Sequence, residues 1–180
     1  FKPFVYSAGL ASGLTPASVF NDAPVVFFDD NLGRDWRPEN YSQQFFGPTR
    51  MRQALTKSRN LVSIRLLRKV GIKTTIRHIK KFRMMDRDYP ADLSLSLGTG
   101  ELTPLELASG YAVFANGGFR VEPYFIDKIV DGDGDLVFQH TPAVVCDEPP
   151  CEGRVADRVI PAANAWQITS MMRDVIRRGT

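Results

Sequence analysis

Two small polar side chains, Ser58 and Asn60 in Leu55-Thr56-Lys57-Ser58-Arg59-Asn60-Leu61-Val62, are of types and at a spacing that could do chemistry. A hydroxyl can donate, accept or relay a proton, and a carboxamide offers both a donor and an acceptor to a substrate backbone. Held by a short loop between two packed helices, the pair would face a cleft and fix attack geometry. Ser and Asn also cap and break helices, because their side chains compete for nearby backbone groups. On its own, the step therefore reads as a plain helix break.

The elements that must position this step are helical. Thr49 opens a helix over residues 49–55 by capping it, and Leu61, Ile64 and Leu67 recur at helical spacing up to Val70, with Gly71 as the stop. Phe1 to Leu10 reads as an apolar helix with Phe4, Val5, Ala8 and Leu10 inward; Pro3 fits only a first turn, so the helix starts just ahead of the chain. Thr15-Pro16-Ala17-Ser18 reads as another capped start, and Pro24 to Phe28 as a short buried strand. Asp29 to Gly47 is a long loop with Gly33, Pro38 and Gly47 as breakers and Trp36, Tyr41, Phe45 and Phe46 as anchors, one that could line a cleft.

Further on, Thr74 or Thr75 starts a basic amphipathic helix that ends before Pro90, and Leu93 to Gly100 alternates like a strand. Thr103-Pro104-Leu105-Glu106 combines a capping threonine, an N1 proline and an N3 glutamate, a capping box. Its helix runs through Leu107, Ala108, Tyr111, Ala112 and Phe114 to Asn116-Gly117-Gly118, with small residues that predict close packing. Phe125–Val130 and Leu136–His140 read as a hairpin around Asp131-Gly132-Asp133-Gly134-Asp135. A calcium loop would need a glutamate at its twelfth position, which is Pro142. Ala162 to Arg178 forms an amphipathic helix, with Ile168, Met171, Met172, Val175 and Ile176 inward and Gly179 as its stop.

At 180 residues and 43% hydrophobic content, the chain fits one globular domain with a real core. No apolar run reaches the roughly 20 residues of a membrane helix, and no signal pattern is present. The net charge is only +3, but Lys57, Arg59, Arg65, Arg68, Lys69, Lys73, Arg77, Lys80, Lys81, Arg83 and Arg87 face Asp86 alone in their stretch. This face could meet phosphates or anionic lipid, or be a solvated outer surface without a recognisable nucleic-acid module. Cys146 and Cys151 flank a proline-rich loop; a local disulfide suits them better than zinc, since His78 and His140 fall at no metal-site spacing, and two reduced thiols remain the alternative. Gly98-Thr99-Gly100 is too short for a phosphate cradle. The first and last residues read as cuts from a longer protein.

Together, Phe1-Lys2-Pro3-Phe4-Val5-Tyr6, Ser58-Arg59-Asn60, Leu97-Gly98 with Thr103 to Gly118, and the helix ending Arg178-Gly179-Thr180 resemble, in order, the transpeptidase domain of a class A penicillin-binding protein. The resemblance covers nearly the whole chain. It implies an α/β (α+β) fold, of which residues 1–180 are a helix-rich part whose antiparallel sheet lies mostly outside them, a part that is unstable or relies on flanking chain and is inactive alone. It places the acylated serine of Ser-x-x-Lys two residues before Phe1 and the Lys-Thr-Gly motif beyond Thr180. Lys2 would be one helical turn from that serine and could take its proton if its pKa were lowered. Ser58 would relay a proton toward a departing D-alanine amine, and Asn60 would hydrogen-bond the lysine and the substrate backbone.

The implied partners are peptidoglycan stem peptides ending in D-Ala-D-Ala, and β-lactams that imitate them, with no cofactor, metal or nucleic acid. The implied place is the periplasmic face of a bacterial inner membrane, reached through flanking regions that include a glycosyltransferase domain. The rivals are a class B penicillin-binding protein, a serine β-lactamase, and a basic helical module for nucleic acid or anionic lipid.

Overall fold

Helix α1 (Lys2–Ala11) is the hub on which the other helices pack. Its Phe4, Val5, Tyr6 and Ala8 are buried, and Phe4 meets the rings of Phe82, Tyr111 and Phe114, each at a centroid distance of 5.2 Å. Pro3 sits in the first turn, where a missing N–H costs nothing. In this computed structural model the described residues are 1–29, 34–84, 89, 91–146, 148, 150–151 and 153–179. Gly33, Asp86, Arg87, Pro90, Asp147, Pro149 and Thr180, assigned roles from sequence, lie outside them.

After α1 come β1 (Val19–Asp22), β2 (Phe27–Asp29), β3 (Arg34–Trp36) and β4 (Gly47–Arg50), then α2 (Met51–Thr56), α3 (Asn60–Val70) and α4 (Ile72–Lys80). A 3₁₀ turn (Leu93–Leu97), α5 (Pro104–Ala115), β5 (Phe119–Arg120), β6 (Lys128–Val130), β7 (Leu136–Gln139), β8 (Asp157–Arg158) and α6 (Ala162–Arg178) complete the order. The strands form antiparallel two-stranded ribbons, β1–β4, β2–β3, β5–β8 and β6–β7. The helices bury one apolar cluster against each other, including Leu66, Leu67, Ile79, Val113, Ile168 and Met171. This is an α+β fold with no larger sheet among the described residues.

Buried polar groups tie the hub in place. Ser7 Oγ donates to Asn164 Oδ1 at 2.7 Å, and Asn164 Nδ2 returns a bond to the Ser7 carbonyl at 2.9 Å. With its one proton committed, Ser7 Oγ must accept from His78 Nε2 at 2.8 Å, which fixes the imidazole tautomer. Burial, with Lys81 adding to it, pushes the His78 pKa down to about 4.

Several elements differ from the expectations above, each for a local reason. Thr49 does not cap a helix: it pairs with Phe20 across β1–β4 and its hydroxyl donates to the Gly47 carbonyl at 3.0 Å. α2 begins at Met51, and the turn at Thr15–Ser18 supplies its caps, since Met51 N–H donates to the Ser18 carbonyl and Arg52 N–H to that of Pro16. α4 starts at Ile72, so Thr75 lies inside it, buried and donating to the Gly71 carbonyl. Leu93–Leu97 is a 3₁₀ turn because Asp92 and Ser96 satisfy backbone groups locally, without a partner strand. Phe28 is exposed, whereas Phe27 packs on Trp36; the supposed long loop contains β3 and runs into β4. Tyr41 and Ile176 point to solvent and anchor nothing.

Other local readings hold, except that the first hairpin strand expected over residues 125–130 is limited to Lys128–Val130. The capping box at Thr103 has both reciprocal bonds, and Gly71 ends α3 at φ 91°. Asp131 Oδ1 accepts from the N–H groups of Asp133 and Asp135 and so builds the hairpin turn. Cys146 and Cys151 are disulfide-bonded.

Candidate active site

Lys2 lies in the first turn of α1, whose packing against α3 carries its side chain to the α2–α3 turn. There Lys2 Nζ donates to the Ser58 carbonyl at 2.8 Å, to Ser58 Oγ at 2.8 Å and to Asn60 Oδ1 at 2.7 Å. Three donors meet three acceptors, which is the full complement of an ammonium. Burial pushes the Lys2 pKa down to about 8. The three residues named from sequence therefore share one hydrogen-bonded cluster.

When Lys2 loses a proton it keeps two donors and gains a lone pair. The Ser58 hydroxyl, which can rotate, then becomes the donor. The arrangement can thus pass a proton between lysine and serine without moving a heavy atom.

The turn itself is tightly held. Ser58 adopts φ 51°, a left-handed conformation uncommon outside glycine and asparagine. Its N–H donates to the Leu55 carbonyl at 3.1 Å, and that of Arg59 to Ala54 at 2.8 Å. Asn60 is the first residue of α3, and its N–H donates to Asn40 Oδ1 at 2.9 Å while its own Nδ2 donates to the Glu39 carbonyl at 3.0 Å. Asn40 Nδ2 in turn donates to Asp22 Oδ1 at 2.7 Å. Arg59 Nε faces Asp22 Oδ2 at 3.8 Å, and its guanidinium lies 3.4 Å from the Phe46 ring centroid.

Beneath the turn, Tyr6 Oη and Ser63 Oγ are 3.1 Å apart, and Ser63 Oγ donates to the Arg59 carbonyl at 2.8 Å. Burial raises the Tyr6 pKa, with the charge of Asp22 adding and the bond to Ser63 opposing, so the phenol stays protonated. On the other side, Lys57 Nζ donates to the Arg178 carbonyl at 2.7 Å and couples the turn to the end of α6. Arg52 holds the same helix through Ser170 and Asp174.

Asp22, Asn40 and the clamping role of Arg59 were not among the sequence-derived site residues. An aspartate or asparagine in a polar, proline-bearing stretch is ordinary turn material, so nothing in the pattern sets these two apart. Part of the basic face is structural: Arg65 donates to the Ala23 and Pro24 carbonyls, and Arg68 lies over the Phe27 ring. Among the described residues no cluster of His, Cys, Asp or Glu could hold a metal, and no helix is long and apolar enough to cross a membrane.

The family model of the penicillin-binding protein transpeptidase domain matches residues 1–180. Penicillin-binding protein 1A of Pseudomonas aeruginosa is 40% identical over 218 aligned residues, covering all of this chain and 26% of that protein. Penicillin-binding protein 1A of Neisseria meningitidis is 44% identical over 181, covering all of this chain and 22% of that protein. The chain thus spans about a quarter of the length of these relatives. The 2.6 Å crystal structure of penicillin-binding protein 1A from Haemophilus influenzae superposes with a TM-score of 0.92 at 34% identity, over 99% of this chain and 29% of that one. Penicillin-binding protein A of M. tuberculosis, solved as an imipenem acyl-enzyme complex, shares the fold at a TM-score of 0.77 and 20% identity, over 97% of this chain and 42% of that one. By the end-to-end family match and these identities, the chain belongs to the penicillin-binding protein transpeptidase family.

Proposed function

We propose that Lys2, Ser58 and Asn60 are the central part of a serine DD-transpeptidase active site that cross-links peptidoglycan stem peptides. The observation that carries this is the triple hydrogen bond of Lys2 Nζ to Ser58 and Asn60, on a lysine whose pKa burial has lowered to about 8. In this reading residues 1–180 belong to a longer transpeptidase domain, with the nucleophilic serine two residues before Phe1 and a Lys-Thr-Gly strand after α6. The whole protein would be anchored at the periplasmic face of the inner membrane, with a glycosyltransferase domain ahead of this one.

The reaction then runs in two halves. The serine hydroxyl attacks the carbonyl between the two terminal D-alanines and its proton passes to the neutral Lys2 amine. The proton returns through Ser58 to the leaving D-alanine nitrogen as the C–N bond breaks, leaving an acyl-serine. An amine of a neighbouring stem peptide attacks that ester, gives up a proton through the same relay, and restores the serine. Asn60 Nδ2 and Oδ1 keep Lys2 and the substrate backbone in register. A β-lactam would acylate the same serine and stay there.

Fluorescent penicillin tests this. A protein extended at both ends should label covalently, and lose the label when the serine ahead of Phe1 is replaced; an extended wild type that stays unlabelled refutes the reading. The 180-residue chain should stay unlabelled.

A further inference from the structure

We propose that Asn40 is a positioning residue for the Ser58–Asn60 turn, oriented for that task by the buried carboxylate of Asp22. The proposal rests on the transpeptidase reading, because it concerns how that site is held. Helix α3 starts inside the site: Asn60 is at once its first residue and an acceptor for Lys2 Nζ. The first N–H groups of a helix have no intrahelical partner. The N-cap position is Arg59, which has no side-chain acceptor, and no local side chain caps the helix. Asn40, 20 residues earlier, supplies the acceptor instead: its Oδ1 takes the N–H of Asn60 at 2.9 Å and stands 3.4 Å from that of Leu61.

A carboxamide can do this in only one of its two orientations. Asn40 Nδ2 faces two acceptors, Asp22 Oδ1 at 2.7 Å and the Gln44 carbonyl at 2.9 Å. A flipped amide would set oxygen against those acceptors and nitrogen against two N–H donors. Asp22 therefore selects the working orientation. It is fully buried at the end of β1, its carbonyl accepts from the Phe46 N–H, and its second oxygen has Arg59 as its charged neighbour. The adjacent Glu39 carbonyl takes Asn60 Nδ2 and leaves Asn60 Oδ1 aimed at Lys2. Residues 39 and 40 thus hold Asn60 by both main chain and side chain.

Ser58 shows why such support is needed. A non-glycine residue at φ 51° persists only where its surroundings over-determine it. Without the Asn40 bonds the start of α3 is free to relax, and Ser58 Oγ and Asn60 Oδ1 lose their common distance from Lys2. A displacement of about 1 Å at a catalytic group costs on the order of 100-fold in rate.

The test is the rate of fluorescent-penicillin acylation in the full-length protein, with each variant assayed well below its own melting temperature. Asn40→Ala should label roughly 10- to 100-fold more slowly. Asn40→Asp should fall at least as far, because it sets a second carboxylate against Asp22. Asp22→Asn combined with Asn40→Asp should label at least about tenfold faster than Asn40→Asp alone but more slowly than wild type, since it replaces the clash at position 22 with a hydrogen bond and leaves an oxygen facing the Gln44 carbonyl. The acid limb of the Asn40→Ala pH profile should also move to lower pH, because a displaced Asn60 oxygen no longer stabilises the Lys2 ammonium; partial unfolding would scale the profile without moving it. Wild-type labelling by Asn40→Ala, an unmoved limb, or a double variant no faster than Asn40→Asp overturns the proposal. If Asn40→Ala does not fold, the Asn40→Asp pair decides. A full-length wild type that takes no label overturns the transpeptidase reading, and this proposal with it; a labelled wild type with unaffected variants overturns this proposal alone.

Discussion

Lys2 Nζ donates to Asn60 Oδ1 at 2.7 Å across a separation of 58 residues, the shortest of the three bonds that the ammonium makes at this turn. Its depressed pKa follows from burial alone, so proton acceptance is available near pH 8 and not at the lysine range above 10.

Acylation in the extended protein should therefore rise with pH through an acid limb near 8, as Lys2 becomes neutral. Lys2→Arg keeps the charge but cannot release its proton, and should lower the acylation rate by about 10²- to 10⁴-fold, the usual worth of a general base. Stopped-flow or gel-based labelling across pH 6 to 10 measures both.

His78 makes stability fall with acid. It is neutral in the folded protein down to about pH 4, whereas an unfolded histidine takes a proton near 6.5. The unfolded state therefore binds more protons in that window, and stability that is complete above pH 6.5 declines toward pH 4, by on the order of 3 kcal/mol. Urea unfolding at stepped pH should show the decline, and His78→Gln, which retains a donor toward Ser7, should flatten it.

Two neighbouring glycines should respond unequally to alanine. Gly118 has φ 101°, and a Cβ there would run into the Ile160 carbonyl oxygen, which is backbone and cannot swing aside. Gly117 has φ 68° with open space around it. Gly118→Ala should cost more than about 3 kcal/mol, and Gly117→Ala about 1 kcal/mol from left-handed strain alone. Denaturant midpoints of the two variants give the comparison.

The disulfide should matter little to the site. Cys146 and Cys151 close a short loop beside the Val144–Val155 bridge, in a segment whose described residues are largely exposed, and the side-chain bonds that hold Lys2, Ser58 and Asn60 run to residues 39, 40, 58 and 60 and not to this segment. Cys146→Ser with Cys151→Ser should leave penicillin acylation within about twofold while removing up to about 2 kcal/mol of stability, the entropy of so short a loop. Labelling rates and melting curves of the pair against wild type settle it.

Local chemistry alone determined a large part of this protein. The capping box at Thr103, the stops at Gly71 and Gly117-Gly118, and the 3.6-residue apolar spacing of α3 and α6 depend on nearest neighbours, and each is legible without a fold. Ser58 and Asn60 were legible for the same reason as a helix break, and as site residues together with Lys2 only through the order of the segments that resemble a transpeptidase domain. The tertiary structure decided what bonds run between distant segments. It put Lys2 on Ser58 and Asn60 by packing α1 on α3, gave α2 its caps from the Thr15–Ser18 turn, and made Thr49 a strand residue by pairing it with Phe20. It also delivered Asn40 and Asp22 to the start of α3, because a helix whose own N-cap residue is arginine must find its acceptor elsewhere in the chain, and no sequence period records where that will be.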